Sequence, residues 1–184
     1  MEDCAGLSRT SKYQANTTYH NWARSTGANH TSCPYSFVFY LCLISKPQQD
    51  LAGVRQCYFL EDACRHLATM CRQYNDFGSV SRDRQEQNLN SINFPEFEIC
   101  TEEGHMDLEA MEARRKRELL EIAEYERRCL DTALAELEQC LDPSLLSKIK
   151  LFVHVTDLYG QIYVARDIGV RKMENEVGTN HASR

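Results

Sequence analysis

The stretch Leu67-Ala68-Thr69-Met70-Cys71-Arg72-Gln73-Tyr74-Asn75-Asp76-Phe77-Gly78-Ser79-Val80-Ser81-Arg82-Asp83 decides how this chain is read. Its first half closes a run of apolar positions, Val54, Cys57, Leu60, Cys64, Leu67, Ala68, Cys71 and Tyr74, at the three-and-four spacing of one helix face. The spacing predicts a helix from about Leu51 to Phe77. Asn75 continues the inward face, where a polar side chain costs free energy unless it finds a partner. On a helix, steps of four residues place Asn75, Ser79 and Asp83 within an arc of roughly 80°. An amide oxygen, a hydroxyl and a carboxylate on one face are hard oxygen donors of the kind that magnesium takes while keeping waters and sharing its sphere with phosphate. Arg82 stands beside the last of them, and a guanidinium suits phosphate oxygens. Read from the residues alone, Asn75-Asp76-Phe77-Gly78 is better taken as the plain exit turn of a helix that ends there, with Gly78 as breaker or as the place where a phosphate comes close.

Outward from this stretch the chain reads as all helical, with no sustained alternation and no internal repeat. Pro34 opens a helix from Tyr35 to about Ser45 that is apolar nearly all round and is expected to be buried. Residues 84–106 form a polar connection. A charged helix is expected from Met106 to Leu141, with Leu119, Ala123, Leu130, Ala133, Leu134, Leu137 and Leu141 as its apolar stripe. Asp142-Pro143-Ser144 is a helix start, Asp142 capping and Pro143 in the first turn. The helix it opens is expected to reach about Asp167, with Leu145, Ile149, Phe152, Thr156, Tyr159 and Tyr163 on one side. The expected fold is therefore an all-α antiparallel helical bundle. The helices ending near Asn75 and Asp167 should be neighbours. The expected organisation is a polar segment at 1–18, one domain at 19–171 and a disordered tail at 172–184.

Composition narrows the function. A net charge of −6 argues against a nucleic-acid partner, and the charge run Glu112-Ala113-Arg114-Arg115-Lys116-Arg117-Glu118 mixes glutamates with its basic residues as a solvated helix face does. The longest apolar run, Phe37 to Ile44, is far short of the ~20 residues that span a bilayer. The chain thus reads as soluble and intracellular, with the cytoplasm as its expected place. None of the nine cysteines forms a C-x-x-C pair, so a zinc site is not indicated. Cys57, Cys64 and Cys71 recur every seven residues and are expected as reduced, buried, small hydrophobes.

Asn75-Asp76-Phe77-Gly78-Ser79-Val80-Ser81-Arg82-Asp83 resembles the second metal motif of class I terpene synthases, (N/D)-D-x-x-(S/T)-x-x-x-E, with Asp in place of the final Glu. The flanks, Ala63 to Gln73 and Asn88 to Phe97, resemble fungal diterpene synthases, most of all the C-terminal domain of the bifunctional copalyl diphosphate/ent-kaurene synthase type. The likeness runs from about Tyr19 to about Arg171. It implies a magnesium-dependent enzyme that removes diphosphate from a prenyl diphosphate of the copalyl or geranylgeranyl class and cyclises the cation in an apolar pocket. It also implies Asn75, Ser79 and Asp83 as magnesium ligands, Arg82 on the diphosphate, and Arg24 as a lesser diphosphate candidate. Trp22, Phe37, Tyr40, Tyr74 and Tyr159 are candidate pocket aromatics, although aromatics at helical spacing are more often core. The chain departs from the family in one respect: it contains no Asp-Asp dipeptide, hence no D-D-x-x-D motif, and Glu61-Asp62 is followed by no aspartate three residues on. The expected chain is a partial domain, incomplete as a catalyst and prone to self-association through exposed helix faces. The alternative is a catalytically dead helical remnant or interaction module, with the helix at 107–141 as its binding element.

Overall fold

The computed structural model describes residues 17–46, 53–98 and 107–181, with side chains of the last helix as far as Arg166. Most of the segment 1–18 and the stretches at 47–52 and 99–106 lie outside the described residues. Among the described residues five α-helices carry the fold and there is no β-strand. They are α1 (Tyr19–Trp22), α2 (Cys33–Ile44), α3 (Val54–Glu86), α4 (Leu108–Glu138) and α5 (Pro143–His181). A π-helical turn, Ala23–Gly27, continues α1, and two 3-10 turns, Ser91–Asn93 and Pro95–Phe97, follow α3.

The helix ends follow from local chemistry. Thr18 Oγ1 accepts from the Asn21 amide at the start of α1. Asp142 Oδ1 accepts from the amides of Ser144 and Leu145, so the expected cap at Asp142 forms. The largest difference from expectation is in α3, which does not end at Phe77. It runs through Gly78 for more than two further turns and stops at Gln87, whose φ of 58° is left-handed. The Asn88 amide then bonds the Asp83 carbonyl at 2.8 Å. Gly78 is therefore neither a breaker nor part of an exit turn. It lies against α5, where an added Cβ would stand 2.9 Å from the Tyr163 carbonyl oxygen. Glycine in a helix costs about 1 kcal/mol relative to alanine, and the close approach of two helices offsets that cost here.

α4 runs antiparallel to α3, as the pairs Arg55–Glu136, His66–Glu126 and Arg84–Glu112 show by their falling numbers. α5 turns back along α4 through Glu138–Lys150 and Arg127–Asp157. α3 and α5 are consequently side by side, the expected neighbours, with Gly160 under the Tyr74 ring and Gly78 under Tyr163. The main core is built from Leu60, Leu67, Met70, Leu130, Leu137 and Ile149. The whole expected stripe of α4 is buried. A second, aromatic core joins Tyr19, Trp22, Phe94 and Phe97, with Tyr19 edge-on to Phe94 and Phe97 at centroid distances of 5.4 and 4.9 Å. It fastens α1 to the turns after α3.

Several expectations on burial are corrected. α2 is not buried all round: Phe37 and Cys33 face the core, while Tyr35, Val38, Phe39 and Leu43 are more than half exposed. A wholly apolar helix needs neighbours on every side, and among the described elements α2 has them on one side only. Val54 and Cys57 lie exposed at the start of α3, and Cys64 and Cys71 are half-buried. The cysteines with described side chains are free thiols. On α5, Tyr159 is exposed, and the helix passes the expected end at Asp167 to reach His181.

Candidate functional site

Ser79 and Asp83 lie one turn apart on α3, and both are buried. Ser79 Oγ donates to Asp83 Oδ2 at 2.5 Å. The same carboxylate oxygen accepts from Asn90 Nδ2 at 2.8 Å. The other oxygen, Oδ1, has the Arg82 guanidinium 3.7 Å away, beyond hydrogen-bond distance, and Arg82 itself is more than half exposed. Asp83 is thus a buried carboxylate whose close partners are neutral donors crowded on one oxygen. A buried carboxylate depends on such partners, and among the described residues the cation near Asp83 is the half-exposed Arg82. Asn75 stands apart from this pair, half-buried on the wall of a cleft. Continuity of α3 through Gly78 keeps all three on one helix face.

The other motif acid, Asp76, is differently placed. It is fully buried, and Arg72 reaches both its oxygens, at 2.8 and 3.0 Å. Its Oδ2 also accepts from the Ser91 amide and the Ser91 hydroxyl. Burial pushes its pKa up to about 6, against the opposing pull of Arg72 and Ser91. Arg72 lies over the Trp22 ring and donates to the Leu89 carbonyl. Asp76 therefore ties the 88–92 segment to α3 through Oδ2, while its buried Oδ1 has the Arg72 charge beside it and accepts no hydrogen bond.

The cleft has a volume of about 520 Å³ and lies between the Thr31–Ser36 stretch, α3 and α5. Cys71, Arg72 and Asn75 form its α3 wall, and Phe152, Val155, Tyr159 and Tyr163 its apolar wall on α5. Ser79 and Asp83 do not line it. Of the candidate aromatics, Tyr159 lines the cleft, while Trp22, Phe37 and Tyr74 are core. Tyr74 OH accepts from Arg127, which also makes two bonds to Asp157, so these residues join α3, α4 and α5.

Arg24 is held elsewhere. Its Nε and Nη2 both donate to Glu126 Oε1, at 3.1 and 2.8 Å. The opposite oxygen of Glu126 is 2.6 Å from His66 Nδ1, which must carry the proton because an ionised carboxylate only accepts. Burial would raise the Glu126 pKa, but the hydrogen bonds from His66 and Arg24 hold it below the ordinary value. An anion at Arg24 would have to compete with Glu126. Sequence reasoning missed this buried network. The one legible sign of it was the i,i+4 pair Asp62 and His66, 3.3 Å apart.

The donor set of Asn75, Ser79 and Asp83 is chemically that of a hard divalent cation, and Asp83 Oδ1, which accepts no hydrogen bond, fits one. Among the described residues no three His, Cys, Asp or Glu side chains converge to hold a metal, so an amide and a hydroxyl must take part in any such site. No helix among the described residues is long and apolar enough to cross a membrane.

No family model and no solved structure matches the chain. Curated relatives do. The chain is 42% identical over 159 residues to pimaradiene synthase pbcA of Emericella nidulans, covering 81% of this chain and 16% of the relative. It is 41% identical over 167 residues to the ent-kaur-16-ene synthase of Fusarium fujikuroi, covering 82% and 17%. With the bifunctional premutilin synthase of Clitopilus passeckerianus the identity is 30% over 189 residues, covering 92% and 19%. The chain therefore spans about one-sixth of the length of the first two of these relatives. Over about four-fifths of its own length the chain is homologous to these fungal diterpene synthases, and by that likeness it belongs with them.

Proposed function

We propose that this chain is the magnesium-binding part of a class I diterpene synthase acting on a copalyl or geranylgeranyl diphosphate. Asn75, Ser79 and Asp83 would hold one magnesium, and Arg82 would meet the diphosphate. Bound there, the metal supplies positive charge that draws off the leaving diphosphate. The observation that carries the reading is the buried Asp83 carboxylate, which has only neutral close partners beside a half-exposed arginine. Ser79 spends its proton on Asp83, which leaves its oxygen lone pairs free to bind a cation. Asn75 lies at the cleft, whose apolar α5 wall suits a hydrocarbon chain. Arg24 is a secondary diphosphate candidate, since Glu126 already engages it.

The test is manganese binding, as a paramagnetic stand-in for magnesium, measured on the chain with inorganic diphosphate present. Binding is expected, with tenfold or greater weakening in Asp83→Ala and Asn75→Ala. Affinity equal to that of the unaltered chain in both variants would refute the assignment. Catalysis by these 184 residues alone is expected to be poor, because they carry no D-D-x-x-D motif and one metal would leave much of the diphosphate charge uncompensated. The exposed apolar residues of α2 and α5 support self-association of the isolated chain.

A further inference from the structure

We infer that Asn90 is a positioning residue for the metal site: it locks the Asp83 carboxylate so that Oδ1 is the oxygen offered to the cation. The inference rests on the metal reading above. Asn90 is outside the motif and 1% exposed. Its Nδ2 makes two bonds, to Asp83 Oδ2 and to the Asp76 main-chain carbonyl, each 2.8 Å. Its Oδ1 accepts from the Ile92 amide at 3.2 Å, which settles the amide orientation, since a flipped group would face a donor with donors and two acceptors with an acceptor. All the side chain's polar atoms are thus engaged, and both its hydrogens point at α3. With Ser79 as the second donor, Oδ2 of Asp83 is saturated from two sides and the carboxylate cannot turn about its Cβ–Cγ bond. Oδ1 accepts no hydrogen bond and has only the Arg82 guanidinium, 3.7 Å away.

The neighbouring clamp gives an internal control. Ser91 bonds Asp76 through its hydroxyl at 2.6 Å and so fastens the same segment to the same helix without touching Asp83. If Asn90 only pinned the segment, losing either residue would have the same effect on metal. If it orients Asp83, only Asn90 matters. Outer-shell partners of this kind typically change metal affinity by about 10- to 100-fold.

The experiment measures manganese affinity of the 184-residue chain by electron paramagnetic resonance, with inorganic diphosphate present, for the unaltered chain, Asn90→Ala, the near-isosteric Asn90→Leu, and Ser91→Ala. Circular dichroism and urea unfolding are recorded for each. The expected result is at least tenfold weaker binding in both Asn90 variants and unchanged affinity in Ser91→Ala, although Ser91→Ala is also destabilised. Unchanged affinity in the Asn90 variants overturns the inference and leaves the metal site standing. Equal loss in Ser91→Ala also overturns it, because the segment alone would then be responsible. No binding by the unaltered chain overturns the metal reading, and this inference with it. Should both Asn90 variants fail to fold, the side-chain amide resonances of Asn90 in the unaltered chain carry the test. They are expected to shift on adding magnesium with diphosphate, and no shift overturns the inference.

Discussion

Two buried aspartates seven residues apart on one helix have opposite surroundings. Asp76 has an arginine and two donors from Ser91, whereas Asp83 has a serine and an asparagine. The first reads as structure and the second as a waiting ligand. The burial of Asp76 makes a pH prediction. The folded pKa of Asp76, about 6, lies above its ordinary value of 3.8, so the native state binds this proton more tightly than the unfolded chain does. Its contribution to stability is therefore fullest below about pH 4 and is lost as pH rises through about 6. At one pKa unit per 1.36 kcal/mol the loss is on the order of 2–3 kcal/mol. Glu126 acts with the other sign, since its lowered pKa gives stability that is full above the ordinary carboxylate value of 4.5 and is lost below it, as pH falls through the folded value. Asp76→Asn should remove the first effect and keep the second. Urea unfolding of both proteins between pH 4.5 and 6.5 checks this: the unaltered chain should lose stability as pH rises relative to the variant, which lacks this loss, and parallel curves would contradict it.

At the scale of elements, the unbroken α3 is what keeps Asn75, Ser79 and Asp83 on one face, and its contact with α5 is what lets a glycine persist in its middle. Gly78→Ala gains helix propensity but pushes a methyl to 2.9 Å from the Tyr163 backbone, which cannot swing away as a side chain would. A net destabilisation of about 1–2 kcal/mol is expected, of the size that overpacking costs. Denaturant titration reads it directly, and a more stable variant would show that α3 and α5 are not in close contact there. Gly78 illustrates what the sequence left open. Asn-Asp-Phe-Gly serves an exit turn and a close helix crossing equally well, and only the position of Tyr163, more than eighty residues away, distinguishes them. The Asp142 cap, by contrast, depends on its own three neighbours and was legible from them.

For the whole molecule, the apolar surface on α2 and α5 is the dominant feature. Phe39 and Leu43 on α2, with Leu151, Val155 and Leu158 on α5, are each more than half exposed. The isolated chain should associate at micromolar concentration, and the double variant Phe39→Lys, Leu158→Lys should reduce association while leaving helicity intact. Sedimentation velocity tests this; a monomer at all concentrations in the unaltered chain would refute it. Incubation of the chain with magnesium and geranylgeranyl or copalyl diphosphate should give little or no cyclic diterpene by gas chromatography. Turnover at ordinary enzyme rates would mean that other groups, Glu61 and Asp62 first among them, complete the metal cluster.

The sequence by itself determined the helical class, the apolar stripe of α4, the cap at Asp142 and the donor triad at four-residue spacing. Each of these depends on chemistry repeated within a few turns of one chain segment. The tertiary structure alone decided that α3 continues past Gly78, that α2 shows most of its apolar surface to solvent, that Glu126 engages Arg24, and that Asn90 reaches Asp83. These depend on which distant segment lies against which, and Arg24 and Glu126, 102 residues apart, leave no local signature of their meeting. A buried carboxylate takes its partners from whatever packs against it, so the role of an aspartate on α3 followed from its neighbours in space.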